Sequence, residues 1–559
     1  MPSRRWLTAW RLFRSGEFKE LFIRILKVFA DLVSRETEIN YLEWRKTWVE
    51  LDVNEKSHFI ELVNSLSDDP SFALIVSANQ MDSASLFSTV ENVIAQLYPN
   101  WVLHILDTGQ IDDGFFEKIS ALNDNRLKLT DSLLSVPEDW IIELASGTEL
   151  HEAALSISAI SIVKNPEAVV IYSDHDHINI SGEFCDPHMK PDWNADLLTS
   201  MNYLAPLVIC KKELWEANLD KRTDQHVFLL EITKELSHET ILHVPCVLAS
   251  VQILDDKSHL EPSVQRVKHP LPVPVPFVSI LIPSRDQGQL LKKCLNSLYK
   301  ETSYKHYEIV LVDHETSEPR AIEIIEGFKE NENFRVINFS GSFNFAAMMN
   351  QAAEFSNGQI LVLLNNDTEI IDSEWLTELV TQVARPEVGI AGALLLFGDR
   401  TIQHAGVHPG LGGLMGHGHK HFSGDSSGYF NRLKTVHEVA AVTGACLAIE
   451  KSTWVDLEGL DEENLHVAYN DIDLCFKVRN NGLRVVFTPY AKLLHHESLS
   501  RGVDQIVEKN QRLQNELRTM HERWGEFLKI DPAYSPNLSL DGGGFTLNKN
   551  PTITKKMLF

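Results

Sequence analysis

The sequence predicts an α/β fold in which one domain occurs twice, and three observations support this prediction. Short apolar runs alternate with segments of helical period in two blocks, at residues 70–255 and 277–530. This alternation is typical of strands and helices in an open, mostly parallel sheet. The runs recur in the same order in both blocks. Alternating prolines at 267–276 lie within the predicted linker 256–276, which is expected to be stiff because proline cannot continue a helix or a central strand.

Each block is predicted to open with a strand, a helix and a second strand. The pattern places these elements at 72–78, 85–97 and 101–107 in the first block and at 277–283, 289–301 and 307–313 in the second. A further apolar run follows in each block, where residues 139–150 correspond to 359–370. The tail at 531–559 is rich in glycine, asparagine and lysine and is predicted to be loosely ordered.

The composition is that of an ordinary globular protein and excludes several classes. The 559 residues are 43% hydrophobic and 23% charged, unlike disordered chains, collagens or coiled coils. The formal net charge of −27 argues against nucleic acid as a partner, because phosphate contacts need a basic surface. Six widely spaced cysteines without a C-x-x-C motif argue against a disulfide scaffold or structural zinc site and fit a reducing cytosol.

Residues 1–69 are predicted to be a helical N-terminal region. Aromatic and aliphatic residues recur at three- and four-residue spacing from Trp6 to Phe29, as in an amphipathic helix. Charges interrupt every apolar run, so neither a signal peptide nor a membrane-spanning helix is expected. Two interpretations of residues 1–35 stay open: a helix packed on its own domain, or a peripheral contact of a cytoplasmic protein with the inner face of the membrane.

Acidic residues follow three apolar runs of the second block, at Asp286, Asp313 and Asp367. Ligands of open α/β sheets bind beyond the carboxyl ends of the strands. Carboxylates at that edge suit the hydroxyls of a nucleotide and a divalent cation, and hard oxygen ligands favour Mg²⁺ or Mn²⁺. No G-x-G-x-x-G motif follows the first strand and no G-x-x-x-x-G-K-[ST] motif occurs, which argues against a Rossmann dehydrogenase and a P-loop NTPase.

Two further groups of polar residues lie downstream. Asp471 and Asp473 fall at the start of a helical pattern, and His495 and His496 follow a strand-like run. An imidazole at this place can add a nitrogen ligand to a cation.

Seven segments of the second block, taken in order, resemble the inverting family 2 glycosyltransferases of GT-A fold. They are VSILIPSRD, EIVLVD, FNFAAMMNQAA, LVLLNNDTEI, AAVTGACLAIEK, LDEENLHVAYNDIDLCFKV and LLHHESLSRG. The strongest likeness is to bacterial rhamnosyltransferase-type members that build surface polysaccharide. Residues 171–215 are similar to the leading domain of two-domain members. The resemblance implies two tandem GT-A domains, a nucleotide-sugar donor, a glycan or lipid-linked glycan acceptor, and Mg²⁺ or Mn²⁺ as cofactor.

The resemblance also implies a role for each candidate residue. Asp471 corresponds to the general base. Asp367 must make most of the metal contact because Asn365 occupies the first position of the motif, with His495 as the second ligand and His496 as its alternative. Nucleotide-sugar binding is implied for Pro283, Asp286, Asp313, Asn366 and Asp367, and acceptor binding for Thr443, Gly444, Ala445 and Asp473, where Asp473 has a structural role as its alternative.

The first block departs from the family pattern at the same positions. Gly147 corresponds to Asp367, and Ser250 falls where a metal histidine is expected. Only Asp224 can stand opposite Asp471. The first copy is therefore predicted to be catalytically inactive.

Two motifs outside this set receive simpler interpretations. The glycine- and histidine-rich segment 406–428 is interpreted as a flexible loop over the site, and DHDH at 174–177 as an acidic turn, with a cation site as the alternative in each case.

The predicted function is inverting, metal-dependent transfer of a sugar from a nucleotide sugar to a hydroxyl of a growing surface glycan. The alternatives are a non-catalytic glycan-binding or scaffold protein built from transferase domains, and a nucleotidyltransferase. Asp367 together with Asp471 argues against the first alternative, and the order of the motifs argues against the second.

Overall fold

A computed structural model of the chain describes residues 39–77, 83–106, 113–130, 135–222, 224–253, 262–496, 506–542 and 544–551. The chain forms two units, Met1–Glu50 and Leu51–Phe559. The first contains helix α1 (Tyr41–Trp48), whose first N–H groups donate to the side chain of Asn40. The amphipathic stripe predicted from Trp6 to Phe29, and with it the membrane contact predicted for residues 1–35, lies outside the described residues.

The second unit begins with α2 (Val53–Asn64) and contains two sheets. The strands of the first sheet are β1 (Phe72–Ser77), β2 (Trp101–Leu106), β3 (Leu127–Thr130), β4 (Trp140–Leu144), β5 (Thr148–Leu150), β6 (Val170–Ile178), β7 (Phe184–His188), β8 (Val208–Lys211) and β9 (Ile241–Gln252). Its helices are α3 (Ser83–Ile94), α4 (Asp113–Leu122), α5 (Ala154–Lys164), α6 (Ala195–Ser200), α7 (Lys212–Ala217) and α8 (Gln225–Thr233).

The second sheet and its additions follow the proline-rich segment. The strands are β10 (Val278–Ser284), β11 (Tyr307–Asp313), β12 (Phe334–Asn338), β13 (Ile360–Leu364), β14 (Thr368–Ile370), β15 (Val388–Leu396), β16 (Ile402–His404), β17 (Val407–Pro409), β18 (Met415–His417), β19 (His437–Glu438), β20 (Cys446–Glu450) and β21 (Arg484–His495). The helices are α9 (Gly288–Glu301), α10 (Pro319–Phe328), α11 (Phe345–Phe355), α12 (Trp375–Val383), α13 (Lys451–Asp456), α14 (Asn470–Asn480) and α15 (Ile506–Trp524).

The two sheets have the same strand order, which confirms the predicted repeat. The order is β3-β2-β1-β4-β8-β6-β9-β5 in the first sheet and β12-β11-β10-β13-β20-β15-β21-β14 in the second. The prediction of a mostly parallel sheet is wrong for half of each sheet. The strands around β1 and β10 pair in parallel, whereas β8 and β20 run antiparallel to both of their neighbours. A run of buried apolar residues does not encode strand direction.

The second sheet is buried on both faces, which explains its continuous apolar strands. Along β10, Leu281 packs with α11 and α14 on one face, whereas Ile280 and Ile282 pack with α9 and α12 on the other. Helix α15 adds Met520 and Trp524 to the first of these faces. The carboxyl ends of the parallel strands β10, β11 and β13 therefore lie at one edge of a sheet whose two faces are packed.

The tail does not behave as predicted. Tyr534, Leu538 and Phe545 are all buried, and the Asn537 amide donates to Asp174 Oδ2 at 3.1 Å and to the Pro245 carbonyl at 2.8 Å. The composition of the segment indicated loose order, but its few large side chains supply enough apolar area to pack. Among the described residues, no helix is both long enough and apolar enough to cross a membrane.

Candidate functional site

The turn between β13 and β14 consists of Asn365, Asn366 and Asp367. The Asn365 N–H donates to the carbonyl of Ala445 at 3.0 Å, which joins the turn to the segment before β20. The Asn366 amide donates to the hydroxyl of Ser284, the last residue of β10, at 3.3 Å. The turn therefore lies where β10, β13 and β20 meet.

Asp367 and His495 face each other across this turn. Asp367 Oδ1 lies 3.0 Å from His495 Nε2, and the Asp367 residue is only 6% exposed. Burial alone would raise the pKa of the Asp367 carboxyl, but the neighbouring His495 lowers it below its ordinary value. No described residue places an aligned hydrogen-bond donor on Asp367 Oδ1.

This pair fits a divalent cation whose remaining ligands come from a substrate. A buried carboxylate oxygen without an aligned donor, beside an imidazole nitrogen, is a donor set that Mn²⁺ or Mg²⁺ can use together with phosphate oxygens. Within the described ranges, no group of three or more His, Cys, Asp and Glu residues forms a metal cluster. The alternative ligand, His496, points to Glu369, with Nε2 2.8 Å from Oε2.

Asp471 lies in the first turn of α14 and contacts the segment that precedes β20. Its Oδ2 accepts from the Gly444 N–H at 2.8 Å, and its Oδ1 accepts from the Ile472 N–H at 2.9 Å. Burial raises the pKa of the Asp471 carboxyl, and these hydrogen bonds only partly oppose the shift. Since Thr443 and Ala445 flank Gly444, the structure brings Asp471 together with all three residues of the predicted acceptor segment.

The nucleotide-binding candidates lie at the ends of β10 and β11. Pro283 pairs in register with Val312, and the next pair is Ser284 with Asp313. Asp313 Oδ1 accepts from the Thr316 N–H at 3.1 Å. Both loops that follow these strands therefore start at the same edge as the Asn365–Asp367 turn.

Asp286 joins these two loops. It has a positive φ of 53°, a conformation that Asp tolerates better than most residues. Its Oδ1 accepts from the N–H groups of Ser317 at 2.7 Å and Glu318 at 2.8 Å, and these bonds lower the pKa of the Asp286 carboxyl. The carboxylate thus fixes the loop backbone beside the predicted nucleotide site.

Asp473 lies outside this group, and its contacts favour the structural alternative of its prediction. It is fully buried, and its Oδ1 accepts from Arg523 Nη1 at 2.7 Å and from Trp524 Nε1 at 2.8 Å. It offers no exposed surface to an acceptor and instead anchors α15. Arg523 also lines a groove of about 930 Å³ that contains none of the predicted site residues.

The first sheet lacks the corresponding groups. Its β4–β5 turn has Gly147 at the place of Asp367. Thr148 pairs with Val251, as Thr368 pairs with His495, so Val251 and not Ser250 occupies the histidine position. The prediction of Ser250 at this position was wrong by one residue. A comparison of short sequence runs without gaps cannot fix the register of a strand, and a shift of one residue turns every side chain to the opposite face of the sheet.

The two remaining motifs are structural. DHDH forms part of β6, which is buried along its whole length, and is not an acidic turn.

The segment 406–428 contains the β17–β18 hairpin. Its histidines are held in place: His408 Nδ1 contacts Asp531 Oδ2 at 2.7 Å, and His419 Nε2 accepts from the Tyr429 N–H at 3.0 Å. The segment therefore consists of a short hairpin and turns in which these two histidines are anchored.

One residue of the site had no sequence signal. Gln403 Oε1 accepts from His495 Nδ1 at 2.6 Å. An isolated glutamine matches no motif, and only the pairing of β15 with β16 brings it to the histidine.

Comparison with known proteins places the second sheet domain in a class. Residues 279–417 match the family model described as Glycosyl transferase family 2. This domain is therefore a glycosyltransferase domain, and it belongs to glycosyltransferase family 2. Together with the repeated sheets, this membership confirms the predicted fold class of two α/β domains of GT-A type in tandem.

Two curated relatives match most of the chain. It is 34% identical over 545 residues to the uncharacterized protein y4gI of Sinorhizobium fredii, covering 87% of this chain and 60% of the relative. It is 28% identical over 542 residues to the O-antigen biosynthesis protein RfbC of Myxococcus xanthus, covering 88% of this chain and 42% of the relative. The chain thus spans about half the length of these relatives.

Among solved structures, the chain is similar to the crystal structure of GalNAc-T7 with UDP, GalNAc and Mn²⁺. The identity is 18% and the TM-score is 0.38, over 45% of this chain and 50% of that chain.

Proposed function

We propose that the second domain transfers a sugar, with inversion, from a nucleotide-sugar donor to a hydroxyl group of a growing surface glycan. The observation that carries the proposal is the position of Asp471. Its carboxylate has a raised pKa and contacts Gly444, and the adjacent Ala445 is bonded to the turn that contains Asp367. The proposed base and the proposed cation site are thereby connected through one short segment.

Asp471 is suited to remove a proton from the acceptor. Inversion in one displacement needs one carboxylate that takes the hydroxyl proton as the oxygen attacks the anomeric carbon. Burial makes the Asp471 carboxylate more basic than an exposed one. The N–H groups of Gly444 and Ile472 hold it in one orientation, so its position is fixed before the acceptor binds.

The donor is proposed to lie along the ends of β10, β11 and β13. Asp313 can accept from nucleotide hydroxyls, and the Asp286 carboxylate keeps the neighbouring loop in place. Asp367 and His495 would hold the divalent cation. When bound, that cation stabilises the charge on the leaving diphosphate.

We infer the class of acceptor from the relative whose name states the process in which it acts. The O-antigen biosynthesis protein of M. xanthus matches 88% of this chain, and we therefore propose a glycan or lipid-linked glycan as acceptor. The membrane contact of residues 1–35 at the cytoplasmic face stays a prediction.

The test is an assay of purified protein with a panel of nucleotide sugars and Mn²⁺ or Mg²⁺, in which released nucleotide is measured with and without a glycan acceptor. We expect cation-dependent release with one donor, and loss of at least tenfold in Asp367→Ala. The matched control is Glu374→Ala, since Glu374 is an exposed acid in the same segment without a capping bond. No release with any donor, or release that Asp367→Ala leaves unchanged, would contradict the proposal.

A further inference from the structure

We propose that Gln403 is a positioning residue that holds His495 in the tautomer that binds the cation. The glycine- and histidine-rich segment 406–428 keeps Gln403 in place. The inference rests on the proposed metal-dependent function. It concerns a residue that touches neither substrate nor cation and acts through the ligand.

A β-bulge directs Gln403 toward the site. Strand β16 pairs antiparallel with β15, where Leu395 pairs with His404 and Leu396 with Ile402. Gln403 is therefore the extra residue at a shift of register. Bulges of this kind re-aim a side chain and are frequent beside active sites. The same two residues of β15 pair with Leu493 and Leu494 of β21, the strand that ends with His495.

The contact of Gln403 determines which nitrogen of His495 carries the proton. The Gln403 residue is 4% exposed, and its Oε1 lies 2.6 Å from His495 Nδ1. A carbonyl oxygen can only accept, so Nδ1 carries the proton and Nε2 of the neutral ring keeps its lone pair. Asn365 supports the same tautomer, since its Nδ2 lies 3.3 Å from Nε2 and can donate to it.

The resulting arrangement has a lone pair of His495 Nε2 and an oxygen of Asp367 facing each other at 3.0 Å. No aligned donor among the described residues satisfies that oxygen. Both atoms then offer an electron pair to the same place, and this is a donor set that a divalent cation can bind. Partners of this kind behind a ligating histidine raise its basicity and fix the orientation of its ring.

His404, the residue after Gln403, connects Gln403 to the glycine- and histidine-rich segment 406–428. His404 is buried, and its Nδ1 lies 2.8 Å from His417 Nδ1 in the β17–β18 hairpin. The His408 contact with Asp531 ties the same hairpin to the tail. Burial lowers the pKa of His404 well below its ordinary value, so this support places no positive charge beside the cation site.

The experiment measures Mn²⁺ binding by electron paramagnetic resonance, with Mn²⁺ alone and with Mn²⁺ plus UDP, GDP or dTDP. Gln403→Met keeps the size of the side chain without the acceptor, Gln403→Asn is too short to reach Nδ1, and Gln403→Glu retains an acceptor. The control is Gln382→Met, because Gln382 is 1% exposed and donates to Glu378 at 3.0 Å, outside the site.

We expect Gln403→Met and Gln403→Asn to weaken Mn²⁺ binding by about 10–100-fold and to reduce the nitrogen coupling in the Mn²⁺ spin-echo spectrum. Gln403→Glu is expected to restore both, and Gln382→Met to change neither. Unchanged Mn²⁺ affinity in both Gln403→Met and Gln403→Asn would overturn the role of Gln403 while leaving the proposed function intact. Absence of Mn²⁺ binding in the wild-type protein with every nucleotide would overturn the metal-dependent function itself.

Discussion

At the scale of single residues, the site separates two carboxylates by their surroundings. Burial raises the pKa of Asp471, whereas the neighbouring imidazole lowers the pKa of Asp367 despite its burial. Environments that move the pKa values of two acids in opposite directions are typical of sites that give them different chemical tasks. The more basic group is suited to accept a proton, and the more acidic one to remain charged beside a cation.

The role of Asp471 can be tested by Asp471→Asn, which keeps the shape of the side chain but cannot accept the hydroxyl proton. We expect transfer to fall by about 10²–10⁴-fold while nucleotide-sugar affinity, measured by calorimetry, is retained. Asp473→Asn is the matched control on the same helix. It is expected to lower stability and to leave the rate per folded molecule unchanged. Lost donor affinity with an unchanged rate per bound complex would refute the assignment of the base.

The pH profile provides a second test at this scale. Asp471 is active only as the carboxylate, so the rate falls as the pH decreases through its pKa. Because that pKa is raised above the ordinary value of 3.8, we expect the acidic limb of kcat above pH 3.8, and the limb should be absent from the residual activity of Asp471→Asn. A limb that persists in this variant would assign it to another group.

The sequence predicted most of these residues because they follow apolar runs or belong to known motifs. It missed Gln403, whose place depends on a bulge between distant strands, and it left open whether Asp473 has a structural or an acceptor-binding role. Asp471 and Asp473 are two positions apart on α14, about 200° around the helix. One therefore faces the acceptor segment and the other faces α15, a distinction that depends on which neighbour packs on each side.

At the scale of elements, α15 stabilises the start of α14, the helix that carries the base. Arg523 Nη1 contacts Asp473 and its Nη2 contacts Asp461, each at 2.7 Å. Glu516 accepts from the Val467 N–H at 2.9 Å. The helix thus holds both the start of α14 and the loop that precedes it.

Replacement of the arginine in Arg523→Met tests this contact. It leaves the fully buried Asp473 with Trp524 and Lys477 as partners, so we expect a loss of about 2–3 kcal/mol, below the 3–5 kcal/mol typical of removing one partner of a buried pair. Chemical denaturation measures it. Arg518→Met on the same helix is the control, since the Arg518 side chain is 69% exposed and surface pairs contribute little. Equal stability of both variants would exclude the anchoring role.

At the scale of the whole molecule, the two sheet domains share an interface of stacked rings and ion pairs. The rings of His188 and Phe430 stack with centroids 3.4 Å apart. Asn194 exchanges two hydrogen bonds with the backbone of Glu438. The repeat was visible in the sequence, but its docking was not, because each contact joins residues that are distant along the chain.

The absence of the metal residues from the first domain leads to a prediction of one catalytic centre per chain. Asp224, the predicted counterpart of Asp471, caps α8 by accepting from the Val227 N–H at 3.1 Å. Asp224→Ala should cost about 1 kcal/mol of stability through the lost cap and leave turnover of the full chain nearly unchanged, whereas Asp471→Ala should abolish it. Loss of turnover in folded Asp224→Ala would show that the first domain is active.

The ion pairs of Asp196 provide the test of domain docking. This residue of the first domain accepts from Arg385 Nη2 at 3.0 Å and from Arg484 Nη1 at 3.1 Å in the second. Asp196→Ala leaves Arg385 and Arg484 with Glu387 as their remaining shared partner, so we expect a cost of about 2–3 kcal/mol, below the 3–5 kcal/mol typical of removing one partner of a buried pair. We expect the wild-type protein to unfold in one calorimetric transition and the variant to unfold in two. The control, Asp220→Ala, removes an exposed acid of the same domain and should leave one transition.

The ion pairs of Asp196 also predict how the docking of the two sheet domains depends on pH. Burial alone would raise the pKa of Asp196, but Arg385 and Arg484 lower it below the ordinary value. A depressed pKa in the folded state means that the stabilisation is fully present above the unfolded pKa and is lost as the pH falls below about 4. The wild-type transition should therefore begin to split in that acidic range, and the transitions of Asp196→Ala should be separate already at neutral pH. A variant that still unfolds in one transition at neutral pH would show that the rings and the tail hold the domains together without this carboxylate.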